Sequence, residues 1–138
     1  MTRRELVAFI RSQRYAVQSS LHADGAPQAA VVGIAVSDDL ECVFDTVSTS
    51  RKYANLKRDP RCALVIGWDD EITVQLEGVA DEPVGAELDR VREVYFARHP
   101  DGRDRLSWPA IAHFRVRPRW IRYSDFTTQT IVEVTPEQ

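Results

Sequence analysis

A chain of 138 residues with 43% hydrophobic and 28% charged side chains has the makeup of a single globular domain, residues 1–138, able to bury a real core. Its net charge of −3 argues against a general nucleic-acid binder or a protein that docks on acidic membranes, either of which would be basic. No run approaches membrane-spanning length and no secretory apolar segment precedes the charged N-terminus, so a cytoplasmic location is expected. Cys42 and Cys62 sit singly in apolar runs and read as buried, reduced thiols. His22, His99 and His113 lack metal-ligand spacing, so no metal is expected.

Thr2-Arg3-Arg4-Glu5 has the form of a capping box and predicts a first helix from about Thr2 to Gln13. Tyr15 to Leu21 and Pro27 to Val36 read as two strands of a hairpin, joined where Asp24-Gly25 supplies a residue free to take positive φ. Ser37-Asp38-Asp39 turns the chain into a third strand, Leu40 to Asp45. Cys62 to Trp68 is the fourth strand, and Ile72 to Ala80 alternates as a half-buried fifth. Val84 to Arg98 carries Leu88, Val91, Tyr95 and Phe96 at helical spacing, and Arg103 to Pro109 reads as a loop with a turn of helix at most. Ala110 to Val116 and Trp120 to Asp125 predict a last strand pair hinged at Arg117-Pro118-Arg119. Arg115 and Arg117 then share a solvated strand face, Trp68, Trp108 and Trp120 read as core or interface anchors, and a polar tail from Phe126 ends in mobile residues. Short strands with tight turns and few helices predict a mainly β fold: a six- to seven-stranded antiparallel split barrel of Greek-key type with flanking helices.

The chemistry concentrates between Phe44 and Trp68, in FDTVSTSRKYANLKRDPRCALVIGW. Ser50 is a good N-cap for a short helix that must stop at Asp59-Pro60. Thr46, Ser48, Thr49 and Ser50 therefore crowd the positive end of that helix, with Arg51 and Lys52 directly behind them. Free amides, hydroxyls and two cations at one helix start suit a phosphate. The same residues also describe an ordinary capped surface helix. No dinucleotide fingerprint, GxSxG elbow or close carboxylate pair is present, and no catalytic residue can be named.

The order helix, DGxP hairpin, strand, then FDTxxxSRKxxNLxxDPRCAL resembles the pyridoxamine 5′-phosphate oxidase-like family of FMN-binding split barrels. The resemblance runs on through TVQLEGVA to RVRPRWIRYSDF, about Glu5 to Asp125, and its most specific part is the ordered set Thr46, Ser50, Arg51, Lys52, Asn55 before Asp59-Pro60-Arg61. It implies a homodimer with FMN at the subunit interface and a small-molecule substrate. It also implies Asp45 and Thr46 beside the ribityl chain and ring, with Ser50, Arg51 and Lys52 on the phosphate. The strand Ala30, Val31, Val32 and Gly33 would pass along the isoalloxazine. Thr73 matches a flavin-contacting position and Tyr123 an aromatic from the second subunit; an outward strand residue and a barrel-packing ring are the alternatives.

The oxidases carry a basic residue where this chain has Ala30, a Lys near Ala35, and an Arg-x-His motif where it has Phe126-Thr127-Thr128-Gln129. Each such contact to a charged substrate is worth about 1.5–3 kcal/mol, so pyridoxamine phosphate is not the expected substrate. The resemblance implies an FMN-dependent oxidoreductase acting on an unidentified small organic molecule. The alternatives are a deazaflavin-dependent reductase, with Arg115, Arg117 and Arg119 lining a channel for the coenzyme's acidic tail, and a non-catalytic flavin or haem binder.

Overall fold

Thr2 opens the first helix by satisfying a backbone amide that the helix itself leaves free. Its hydroxyl accepts from the Glu5 amide at 3.1 Å, and α1 (Arg3–Ser12) buries Leu6, Val7 and Ile10 along one stripe. The structure, a computed structural model, describes residues 1–136. The mobility expected at the very end of the tail concerns Glu137 and Gln138, which lie outside the described residues.

The expected hairpin forms from β1 (Tyr15–Leu21) and β2 (Pro27–Gly33), with Gly25 at φ +89° in the turn. The return strand does not run unbroken to Val36. It stops at Gly33, Ile34 donates its amide to the Arg14 carbonyl, and a two-residue strand β3 (Ala35–Val36) follows. Leu40 is not in the next strand either: it takes φ +63° to close a turn on Ser37, an unfavourable conformation for a residue with a Cβ that full burial of its side chain offsets. Strand β4 (Cys42–Val47) therefore starts and ends two residues later than the alternation suggests.

Helix α2 (Arg51–Arg58) and strand β5 (Arg61–Ile66) follow, the strand ending at Gly67, whose φ of +84° terminates the extended run before Trp68. Then come β6 (Ile72–Asp81), helix α3 (Gly85–Arg98), 3-10 turns over Pro100–Ser107, and β7 (Ile111–Asp125). The expected hinge at Arg117-Pro118-Arg119 is absent, because β7 is one 15-residue strand. A bulge absorbs the proline: the pairing steps from Glu77↔Trp120 to Gly78↔Pro118, leaving Arg119 as the extra residue. Glycine is required opposite it, since a Cβ on residue 78 would stand 2.3 Å from the Arg117 carbonyl oxygen. The tail also forms structure the alternation Thr130, Val132, Val134 could have signalled. Thr127 bonds to the Asp125 carboxylate to make a turn, and β8 (Thr130–Glu133) pairs back on β7, burying Val134.

All pairings are antiparallel, in the order β2-β1-β5-β6-β7-β4-β3 with β8 on β7. The two edge strands, β2 and β3, are separated in the chain by Ile34 alone, so the sheet must curl to bring its edges together. The expected mainly β split barrel is what results, with eight strands because the return strand divides and the tail adds one. Inside lie Leu64, Ile66, Leu76 and Ile121 around a Phe44–Phe114 stack, and both cysteines are free and buried, which pushes their thiols up to about 12. Among the described residues no helix is long and apolar enough to cross a membrane.

Helix α3 covers the outer side of β3, β4 and the start of β7, setting Val91, Tyr95 and Phe96 on Ala35 and Val43 with His113 against the two rings. Arg115 lies under this layer at 4% exposure, so it is not part of a solvated face; Asp81 takes two of its hydrogen bonds at 3.0 and 2.7 Å and Glu41 a third at 3.4 Å. Arg117 stays exposed. His113, edge-on to Tyr95 and Phe96, has no partner on either ring nitrogen, and burial draws its pKa down to about 4.

Two stability changes are expected. Gly78→Ala should cost about 1–3 kcal/mol in urea unfolding, the range for forcing an atom into a closed contact. For His113, the unfolded chain binds a proton below about 6.5 and the folded one only below about 4, so stability should fall with pH across that window, by on the order of 3 kcal/mol. His99, also lowered by burial, acts in the same direction. His113→Leu should flatten the pH 6.5–4.5 part of a denaturation series.

Candidate functional site

Helix α2 is placed by its own side chains. The Ser50 hydroxyl accepts from the Tyr53 amide at 3.2 Å and is held in turn by the Thr46 hydroxyl at 2.9 Å. Leu56 enters the barrel core, and the buried Asn55 donates from Nδ2 to Ser20 Oγ at 3.0 Å and to Gln28 Oε1 at 2.9 Å. One amide thus fastens the helix to both strands of the β1–β2 hairpin.

That fastening sets the first turn of α2 over the hairpin and leaves a half-open cavity of about 80 Å³ between them, bordered by Gln18, Ser20, Gln28, Ala30, Arg51 and Lys52. Of the neighbouring cations, Lys57 is held by Glu82 at 3.0 Å, Arg61 by Asp59 at 2.6 Å, and Arg58 by the Leu21 carbonyl and Asn55 Oδ1. Arg51 and Lys52 have no such partner among the described residues. Burial, and then the Arg51 charge, lower the pKa of Lys52, as expected of a cation set beside another with no anion between them. Gln18, 1% exposed, leaves its Nε2 without a partner.

The sequence-expected residues divide among several places. Ala30, Arg51 and Lys52 share the cavity, with Ser50 and Thr46 behind them. Val31 points outward at 63% exposure and Val32 inward to the core. Gly33 lies under Tyr95 and His99, where a Cβ would be 2.9 Å from the tyrosine hydroxyl. Asp45 is engaged nearby, accepting from Arg105 Nε at 2.7 Å and the Tyr95 hydroxyl at 3.1 Å. Burial, reinforced by the Asp45 charge, raises the pKa of that hydroxyl. Thr73 stands opposite Ser124 with its hydroxyl buried and unpartnered, and Tyr123 packs edge-on to Phe9 at 5.7 Å. Neither lines the cavity. Of the tryptophans expected as anchors, Trp68 and Trp108 are about half exposed, at 51% and 50%.

Sequence reasoning passed over Gln18, Ser20 and Gln28. The signal was there for two of them: Ala16, Gln18 and Ser20 share the inward face of β1, and polar side chains on an inward face need partners.

A family model described as pyridoxamine 5′-phosphate oxidase matches residues 2–125. A pyridoxine/pyridoxamine 5′-phosphate oxidase of Bordetella pertussis is 35% identical over 91 residues, 65% of this chain and 41% of that protein. The chain thus spans about two-fifths of the length of the curated relatives it matches. A heme binding protein from Mycobacterium smegmatis superposes with a TM-score of 0.85 at 20% identity, over 99% of this chain and 59% of the other. A putative pyridoxamine 5′-phosphate oxidase from Listeria innocua superposes at 0.70 with 17% identity, over 88% and 96%. At such identities the structures establish the split-barrel fold, and the match across residues 2–125 carries the classification: the chain belongs to the pyridoxamine 5′-phosphate oxidase family.

Proposed function

We propose that this protein binds FMN through its phosphate at the start of α2 and works as an oxidoreductase on a small organic molecule other than pyridoxamine phosphate. The observation that carries this reading is the pair of cations, Arg51 and Lys52, facing a small polar cavity without a carboxylate between them. The residues fit the group. Two cations neutralise a phosphate, Ser50 and Thr46 fix the first helical turn, and small Ala29 and Ala30 leave room on the β2 side. A flavin so held supplies the electron or hydride transfer, and the protein supplies its orientation and surroundings. The chain's own substrate-side features support a substrate other than pyridoxamine phosphate: Ala30 offers no charge, and Phe126–Gln129 forms the turn between β7 and β8 with no Arg or His in it.

A deazaflavin tail is less well served. Of the three arginines expected to line its channel, Arg115 is buried and tied to Asp81 and Glu41. Haem is less well served than FMN: His99 Nε2 is held by the Ile34 carbonyl at 2.8 Å, His113 is enclosed, and His22 lies in the exposed loop between β1 and β2 rather than over a cavity. A second copy of the chain would cover the outer face of β2, β1 and β5. There Val31, Val17 and Val65 stand in register with no helix over them, two of them 63% and 37% exposed.

The purified protein should retain a flavin absorption spectrum after FMN is added and the excess removed, near one per subunit. Lys52→Ala and Arg51→Ala should each weaken FMN at least tenfold, the value of one charge-assisted contact. Failure of the wild type to retain FMN would end this reading. Val65→Arg should shift the protein to a monomer in size-exclusion chromatography with light scattering; an unchanged mass would remove this face as the dimer contact.

A further inference from the structure

Helices α1 and α3 both rest on β3, a strand of only two residues, and straddle it without filling the space between them. The side chains that would have to fill it are small: Ala35 on the strand, Val94 and Ala97 on α3. A groove of about 570 Å³ remains, within the size range of small-molecule sites, and it shares no lining residue with the cavity under α2. Along α3 it runs from Arg90 to Arg98, which is about 12 Å of helix.

The two ends of the groove differ in charge. Three arginines line it, and two are already held: Arg11 by Asp38 at 2.8 Å, and Arg90 by Glu41 at 2.8 Å and Glu87 at 2.6 Å. Arg98 pairs with no acid among the described residues. Its Nε donates to the Gln13 carbonyl at 3.3 Å, which moors it at the end of α1. That leaves the Nη1–Nη2 edge of the guanidinium, a fork that takes a carboxylate through two parallel hydrogen bonds. At the other end, the turn between β3 and β4 is tied to Arg90 through Glu41 and carries Asp39. The Asp39 carboxylate pairs with no cation among the described residues. Between the ends, Ala35 and Val36 lie under Val94 and Ala97.

We propose that this groove binds a small organic monocarboxylate with an extended apolar body, its head on Arg98 and its chain along α3. Charge decides the class. One free guanidinium suits a single negative charge, whereas a phosphate monoester would bring nearly two. Asp39 repels a second anionic group at the far end, so a diacid of the same length is disfavoured. A wholly polar ligand would leave its groups without partners over Ala35 and Val36. The proposal does not rest on the flavin reading.

The test is isothermal titration calorimetry with decanoate, with sebacate as the diacid of equal chain length, and with acetate as the head alone. Decanoate should bind the wild type, acetate should give no signal at the same concentrations, and sebacate should bind about fivefold more weakly than decanoate. Arg98→Gln should weaken decanoate about tenfold. Ala97→Trp, which sets an indole in the groove from an exposed position, should abolish its binding. Asp39→Asn should bring sebacate level with decanoate. Both groove variants keep Tyr95 and Phe96, the residues that seat α3, and their ligand-free melting temperatures should match the wild type's. No decanoate binding by the wild type overturns the proposal. Binding that Arg98→Gln and Ala97→Trp leave unchanged also overturns it, and makes Arg98 an ordinary solvated arginine. Sebacate binding as tightly as decanoate to the wild type overturns the ligand class, and a loss of decanoate only in step with a lowered melting temperature counts against the groove. Decanoate binding in a protein that retains no FMN would end the flavin reading and leave this one standing.

Discussion

Ile34 joins the two edges of the sheet, and most of the architecture follows from that constraint. A single residue cannot bridge two distant edges, so β2 and β3 must meet, and the sheet closes on its apolar face. The junction is pinned on both sides: the Ile34 amide to the Arg14 carbonyl at 3.0 Å, the Ile34 carbonyl to His99 at 2.8 Å. With the curl fixed, β1 and β2 present their inner polar positions at one mouth of the barrel, where α2 covers them. Helix α3 covers the far side, over β3, β4 and the start of β7. The outer face of β2, β1 and β5 remains open.

Polar groups inside this fold are treated in two ways. Around Arg115 everything is paired, and the same carboxylate of Glu41 that reaches Arg115 also holds Arg90 in a two-bond fork at 2.8 Å. That network clamps α3 to β4, β6 and β7, and its members have no spare valence for a ligand. At the mouth under α2 the opposite holds. Asn55 occupies acceptors and leaves donors, and the two nearest cations are left without acids.

The unpartnered buried groups separate by what faces them. His113 looks onto the rings of Tyr95 and Phe96, so its lack of partners is satisfied by staying neutral. Gln18 cannot change its protonation to relieve an unmet donor, and the Cys62 thiol beside it is only a weak acceptor. The Asp45–Arg105–Tyr95 cluster beside Gly33 is self-contained in one chain, and neither Asp45 nor Gly33, two of the residues expected near the flavin, lines the cavity under α2.

Much of this was determined by local rules. The Thr2 and Ser50 caps, the Asp24-Gly25 turn, the stop at Pro60 and the period-two alternation of β6 set the elements, and Arg51-Lys52 behind a serine cap marked the candidate site. These features act within a few residues and need no partner to operate. Tertiary contacts decided the rest. The Pro118 hinge became a continuous strand because a bulge opposite Gly78 could absorb it, and Leu40 left its strand because the core rewards its burial more than its backbone resists the turn. The polar tail became β8 because β7 had a free edge to offer. The hydrogen bonds that tie Ser20 and Gln28 to α2 exist only because Asn55, 35 and 27 residues away in the chain, reaches across to both. No spacing in the sequence records an orientation that a distant side chain imposes.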